Sequence, residues 1–295
     1  MRRAAFCAGL LLWLGASPVL GAPPEAPAWS LAEVLHRAGE KVQEYFERAQ
    51  SLVCLEVVRL QPLSSGLSPD GFGRTVESEL RLAWDPLEDE GAAEARTLRQ
   101  VLKVNGGRPR KNDDRSCTTP EQQVSQTQPL SMLLPSQRVK YEFQLGDLAR
   151  LDGRQVLTVR YRKTAKRTVE VKMVDGRDDC ISFEVTGGER GRLWIDPETF
   201  EVLRMDESMP GVVDIPMPAP ILRKAGMPAF WTLERLDTSI RFKRVTFQDP
   251  NEAIVLPVSS TELRVTRGSG QPRLRTVTEY RRYQRFLTGA RVVQP

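Results

Sequence analysis

The chain has 295 residues, 27% of them charged, with 43 basic and 38 acidic side chains, one histidine and four cysteines. Its charge is mild and mixed, reads as spread along strands rather than clustered, and does not argue for nucleic acid. A single histidine excludes a His-pair metal site, and no pair of cysteines has zinc-ligand spacing.

The N-terminus reads as an export signal. Met1-Arg2-Arg3 is a short positive region, Phe6 to Leu14 is an apolar run too short to span a bilayer, and Val19-Leu20-Gly21 offers small residues for cleavage after Gly21. An uncleaved membrane anchor is the alternative. No later segment has the length or apolarity of a transmembrane helix, so the expectation is an exported protein of the periplasm or cell envelope, or a secreted one. Cys7 precedes the apolar run, whereas a lipoprotein signal places its cysteine after it. Removing Arg2 and Arg3 leaves 41 basic against 38 acidic residues, a formal charge of +3. The odd count of Cys54, Cys117 and Cys180 in an oxidising compartment points to one disulfide and a spare thiol. Cys117 and Cys180 sit in polar, loop-like surroundings and are the expected pair. Cys54 sits in an apolar run and reads as a small buried hydrophobe.

Residues 22–29 read as a disordered Pro/Ala linker, and residues 30–295 as one domain. Ser30-Leu31-Ala32-Glu33 is a capping box. Leu31, Val34, Leu35, Ala38, Val42, Tyr45, Phe46 and Ala49 then recur at helical spacing, which predicts one long amphipathic helix to about residue 50. From Leu52 the period changes. Strands are predicted over 52–60, 75–84 and 96–105, the last ending in the turn Asn105-Gly106-Gly107. Residues 108–128 read as a polar loop. Leu130, Met132, Leu133 and Leu134 between prolines suit a short helical turn on the core. Further strands are predicted over 139–145 and 154–161 around Asp152-Gly153, then over 181–185, 238–247, 253–265 and 273–286.

The run from Gly191 to Met205 is the clearest hairpin. Asp196-Pro197-Glu198-Thr199 is turn chemistry, with the Asp196 carboxylate placed to accept a backbone N–H two residues on. The expected register sets Ile195 against Phe200 and Leu193 against Val202, all four on one face, with Arg192, Trp194 and Glu201 on the other. Residues 210–228 interrupt the pattern. Five prolines stand among Val213, Ile215, Met217, Ile221 and Leu222, so the segment is a flap sealing one end of the sheet, a lid over a cavity, or a docking segment. Roughly ten strands with short turns and one main helix give an α+β, mostly β class. Because one helix cannot cover so large a flat sheet, the expected form is a strongly curved antiparallel sheet, an open or half barrel wrapped around the long N-terminal helix.

Gly191-Arg-Leu-Trp-Ile-Asp-Pro-Glu-Thr199 followed by Val202-Leu203-Arg204 resembles the Gly-x-Leu-Trp-Ile-Asp hairpin of the LolA/LolB/RseB superfamily of periplasmic lipoprotein carriers and sensors. The order of signal, capped helix and antiparallel sheet matches too. Leu256 to Ser260 with Tyr280 to Phe286 resembles exported bacterial proteins of the same outline. The resemblance covers about residues 30–290 and implies a hydrophobic cavity between sheet and helices that takes up acyl chains without catalysis. It transfers no individual binding residue. The segments 108–128 and 210–228 depart from a minimal carrier.

The candidate cavity or lid residues are therefore Tyr45, Phe46, Leu193, Ile195, Phe200, Val202, Ile215, Met217 and Ile221. The expected partners are lipoprotein acyl chains or lipid, or an envelope protein docked through the Pro-rich segment or an edge strand. No catalytic residue, metal site or cofactor is expected. His36 lies on the polar helix face. The acidic pairs Asp113-Asp114 and Asp178-Asp179 lack the spacing of a calcium loop, and Gly106-Gly107 and Gly187-Gly188 precede no helix that would cradle a phosphate.

Overall fold

Two abutting chemistries, one helical stripe and a long series of alternating strands, set the architecture. The computed structural model describes residues 29–48, 51–84, 95–110, 130–173, 181–223, 228–248, 251–270 and 272–285. The expected export signal, Cys117 and Cys180 lie outside them, as does most of the expected polar loop at 108–128.

Helix α1 (Leu31–Arg48) starts where the capping box places it, the Glu33 N–H donating to Ser30 Oγ at 3.1 Å. Val34, Leu35, Ala38, Val42, Tyr45 and Phe46 are its buried stripe. Gly39 is buried on the same side for a reason the stripe does not show. A Cβ there would stand 2.8 Å from the Leu133 carbonyl oxygen and 2.5 Å from Arg138 Nη2. The missing side chain admits the 3-10 turn Ser131–Leu133 and helix α2 (Pro135–Arg138) against α1. Arg138 Nη2 then donates to Leu35 O at 2.7 Å and Leu133 O at 2.8 Å, tying helix to turn.

The strands are β1 (Ser51–Pro62), β2 (Arg74–Trp84), β3 (Ala95–Val104), β4 (Tyr141–Leu145), β5 (Ala149–Leu151), β6 (Arg154–Lys163), β7 (Thr168–Met173), β8 (Ile181–Thr186), β9 (Arg190–Ile195), β10 (Val202–Ser208), β11 (Val213–Pro216), β12 (Phe230–Phe247), β13 (Glu252–Arg267) and β14 (Arg273–Arg285). Helix α3 (Ala219–Leu222) follows β11. The main sheet has twelve strands in the order β3-β2-β1-β14-β13-β12-β10-β9-β6-β4, with β11 on β12 and β5 on β6, while β7 and β8 pair separately. Every pairing is antiparallel.

Three expectations need correction. The Asp152-Gly153 turn, with both residues at positive φ, joins β6 to the short β5 rather than to β4. The hairpin turn is longer than four residues: Ile195 pairs with Val202, and a bulge puts Leu193 opposite Met205. Phe200 sits in the turn at φ 58°, and Asp196 Oδ1 accepts the N–H groups of Glu198 and Thr199 at 2.9 and 3.1 Å. The Pro-rich run is not a plain loop. Val213–Pro216 adds a strand to β12, and Ala219–Leu222 makes one helical turn after Pro218.

Beside a small cluster of Val58, Leu60 and Leu274 between β1 and β14, two larger apolar clusters share the strands. The larger joins α1 and the 3-10 turn to β1, β2, β6, β9, β10, β12 and β13. The smaller joins β11 and α3 to the β7–β8 hairpin, Met209 and Leu233. Strand β12 serves both, through Ile240 and Phe242 for the first and Leu233 for the second.

Candidate functional site

The nine residues expected in a cavity or its lid belong to two clusters. Tyr45, Phe46, Leu193, Ile195, Phe200 and Val202 meet in the larger cluster, and Ile215, Met217 and Ile221 lie in the smaller. None of the nine is more than 9% exposed. Trp29 meets Phe200 edge to face at 5.1 Å, Arg37 lies 4.7 Å over the Phe200 ring, and Tyr45 meets Phe46 at 5.0 Å. The apolar face beneath α1 is thus occupied by the protein's own side chains. The hollow beside Val42, Tyr45, Leu130 and Val202 measures only about 50 Å³.

The opposite face of the sheet holds a groove of about 810 Å³. Strand alternation explains its lining. Leu157, Val159 and Tyr161 of β6, and Leu193 and Ile195 of β9, point to the core, so Arg160, Arg162, Arg190, Arg192 and Trp194 point away. Registers then align these into rows across the strands. One row runs Gln144, Arg160, Arg192, Asp206, Ser239, Thr261, and the next runs Glu142, Arg162, Arg190, Ser208, Asp237, Leu263. Arg160 therefore directly opposes Arg192, and Arg162 directly opposes Arg190. Like charges so placed are destabilising. Arg162 has an acid, Glu142, at 2.6 Å, and Arg204 has Asp206 at 2.8 Å. Among the described residues, Arg160, Arg190 and Arg192 make no ion pair; Asp206, which opposes Arg192, pairs with Arg204, and Arg192 lies 5.5 Å from the Trp194 ring, which Arg204 approaches at 4.9 Å. The arginines are clustered after all. The alternation Arg160-Tyr-Arg162 and Arg190-Gly-Arg192 was visible in the sequence, but the adjacency of β6 and β9 was not, because β7 and β8 intervene.

Gly191 sits between these arginines for a packing reason. A Cβ there would lie 2.4 Å from the Tyr161 hydroxyl and 2.3 Å from the Asp206 carbonyl oxygen. The space lets Tyr161 cross the strand on the core side and donate to Glu207 Oε2 at 2.9 Å. Burial raises the Glu207 carboxyl above its ordinary value, against the opposing effect of that hydrogen bond. Burial likewise raises Glu262, and pushes Tyr141 up to about 12. At the other end of the sheet, Glu56 accepts from Arg99 in a two-pronged pair at 2.8 and 3.2 Å, next to buried Cys54. Burial first, then the nearby Glu56 carboxylate, pushes the Cys54 thiol up to about 12, which leaves it an unreactive core residue. Among the described residues, no group of histidine, cysteine, aspartate and glutamate side chains is arranged to hold a metal ion. No helix in them is long and apolar enough to cross a membrane.

No protein-family model matches the sequence, and no curated protein matches it. Solved structures do. The chain is similar to an outer membrane lipoprotein-sorting protein domain from Vibrio parahaemolyticus, with a TM-score of 0.39 and 10% identity over 86% of this chain and 92% of that one. It is similar to a LolA superfamily protein from Nitrosomonas europaea, with a TM-score of 0.31 and 12% identity over 88% and 97%. It is also similar to a chain of the Pseudomonas aeruginosa MucA/MucB complex, with a TM-score of 0.22 and 9% identity over 85% and 99%.

Proposed function

We propose that this protein is a non-enzymatic binding protein of the cell envelope, exported by residues 1–21 and built as one domain over residues 30–295, that docks a partner on the exposed face of its sheet. The contrast between the two faces supports this reading. The apolar face is closed by α1 and by its own aromatic side chains, whereas the other face offers a groove of about 810 Å³ in the size range of ligand sites. A photo-crosslinking residue placed at Ser239 or Thr261, in the protein's own host, is expected to give a discrete protein adduct, and one at Lys103 on β3 is not. No adduct from any groove position counts against docking.

A second reading, carriage of lipoprotein acyl chains or lipid, is favoured by the way α1 is held. The described cover of the larger cluster is one helix and one turn, tied by Arg138 to two backbone carbonyls. Release of α1 opens the seat formed by Tyr45, Phe46, Leu193, Ile195, Phe200 and Val202. A strongly curved, half-closed sheet around α1 is the shape this reading requires. Native mass spectrometry of the protein from its own host's envelope tests it. A reproducible hydrophobic adduct, lost in Leu193→Trp, supports carriage; a clean mass and no uptake of added fatty acid remove it.

A further inference from the structure

The geometry points to an acidic peptide segment of a partner protein as the occupant of the groove, bound extended with carboxylates over Arg160, Arg190 and Arg192; this inference rests on the docking reading above. Charge complementarity carries it. Two arginine pairs face each other directly across β6 and β9; Arg160 and Arg190 have no acidic partner among the described residues, and the Asp206 that opposes Arg192 from β10 is engaged by Arg204 at 2.8 Å. Such oppositions cost stability unless an anion sits between them. Elsewhere on the sheet the same problem is solved internally. Arg204 also opposes Arg241, but Arg204 has Asp206 at 2.8 Å and Arg241 has Asp152 at 3.2 Å.

Spacing narrows the ligand. The two arginine rows lie two residues apart along their strands, which is roughly 7 Å at strand rise. Carboxylates on alternate residues of an extended peptide recur at the same interval, so two acids separated by one residue reach both rows together. Guanidinium groups bind carboxylates through paired N–H donors, and arginine clusters are a recurrent means of reading acidic motifs. The far end of the groove excludes a uniform polyanion. Asp237, Ser239 and Thr261 line it, so the ligand needs an anionic part over β6 and β9 and a neutral, hydrogen-bonding part over β12 and β13. A peptide backbone meets both requirements. The anionic surface of a bilayer is uniform in charge and meets only the first.

The test is fluorescence anisotropy on the mature chain with a labelled seven-residue peptide of alternating Glu and Ser, at low salt. Wild type is expected to bind, with affinity falling as salt screens the contact. Arg160→Glu and Arg192→Glu are expected to weaken binding by about tenfold or more, the loss of one charge-assisted pair. Lys103→Glu on β3 is expected to leave it unchanged. Thermal melts of the same samples separate lost binding from lost fold. Unchanged affinity in both arginine variants overturns the inference. So does equal binding of a peptide with the same charge in one contiguous run, stronger binding to phosphatidylglycerol vesicles, or a dimer that Arg160→Glu dissolves. Crosslinks from Ser239 that survive Arg160→Glu overturn the acidic peptide while leaving docking in place; absent crosslinks overturn docking itself.

Discussion

Replacing Arg160 by glutamate is expected to make the unliganded protein more stable, although Arg160 is a binding residue in this reading. Arg160 directly opposes Arg192 on β9, has neutral Gln144 on its other side, and has no acidic partner among the described residues. Arg160→Gln removes one like-charge opposition, and Arg160→Glu also creates an opposite-charge pair with Arg192. Cross-strand pairs on a sheet surface contribute roughly 0.2–1 kcal/mol each, so the two effects together come to about 0.5–2 kcal/mol. Glu142, on the next row of β4, opposes the new glutamate diagonally and trims the gain. At about 2–4 °C per kcal/mol for a chain of this size, the melting temperature is expected to rise by a few degrees, less for glutamine than for glutamate. Circular-dichroism melts at low salt and at about 1 M salt measure it, because a Debye length near 3 Å removes most of a surface effect. A lower melting temperature for Arg160→Glu at low salt, or a gain that persists undiminished at high salt, refutes the claim that these arginines repel one another.

At the far edge of the sheet, Arg99→Met is expected to cost about 3–5 kcal/mol, because Glu56, only 3% exposed, keeps a charge with nothing to balance it. The double variant Glu56→Gln/Arg99→Met is expected to recover most of that loss in urea titrations, and a double variant as unstable as the single one counts against the pair. Glu207 has a raised pKa in the folded state, so above its ordinary value of 4.5 the fold holds a proton that the unfolded chain has released, and stability falls as pH rises through the folded pKa. Glu207→Gln keeps an acceptor for Tyr161 and is expected to flatten the decline in urea midpoint as the pH rises above 4.5; an unchanged profile contradicts the assignment. Gly39→Ala, which improves helix propensity by about 1 kcal/mol, is nevertheless expected to lower the melting temperature, because its Cβ meets the Leu133 carbonyl at 2.8 Å. A rise in melting temperature shows that the turn gives way without cost.

Local chemistry was legible where it acts over a few residues. The capping box, the helical stripe, the Asn105-Gly106 turn and the Asp196 side-chain bonds all follow from contacts within one turn or hairpin. The face assignment of Leu193 and Ile195 held while the register around them did not, because alternation survives a bulge that pairing does not. Strand β7 was missed, and β12 begins at Phe230 where the alternation was read only from residue 238. Its early half includes Arg235 and Asp237, which look like a loop until their ion pair and the pairing to β13 are seen. Hydrophobicity marked nine residues as cavity or lid, yet it reports burial and not which cluster does the burying. That choice depends on β11 joining β12 and on the β7–β8 hairpin covering it, and both are contacts distant in sequence.

The same distinction explains why the groove is the more informative feature. An apolar side chain satisfies itself against any other, so a filled core carries little record of a ligand. An unpaired guanidinium is different, because its complement must have a particular charge and position. The protein solves that problem inside the chain at several places, with Glu56 for Arg99, Glu279 for Arg59 and Glu201 for Arg244. Glu279 and Glu201 stand on a neighbouring strand or turn, and Glu56 on β1 meets Arg99 on β3 across β2. On β6 and β9 the alternation puts Tyr161 and Gly191 between the arginines, and those two positions are committed to the core-side bond to Glu207. Acids at 160 or 192 would have relieved the repulsion at no cost to that bond, since both side chains point to the other face. The stability given up by keeping arginine at both positions is what a complementary acidic partner returns on docking.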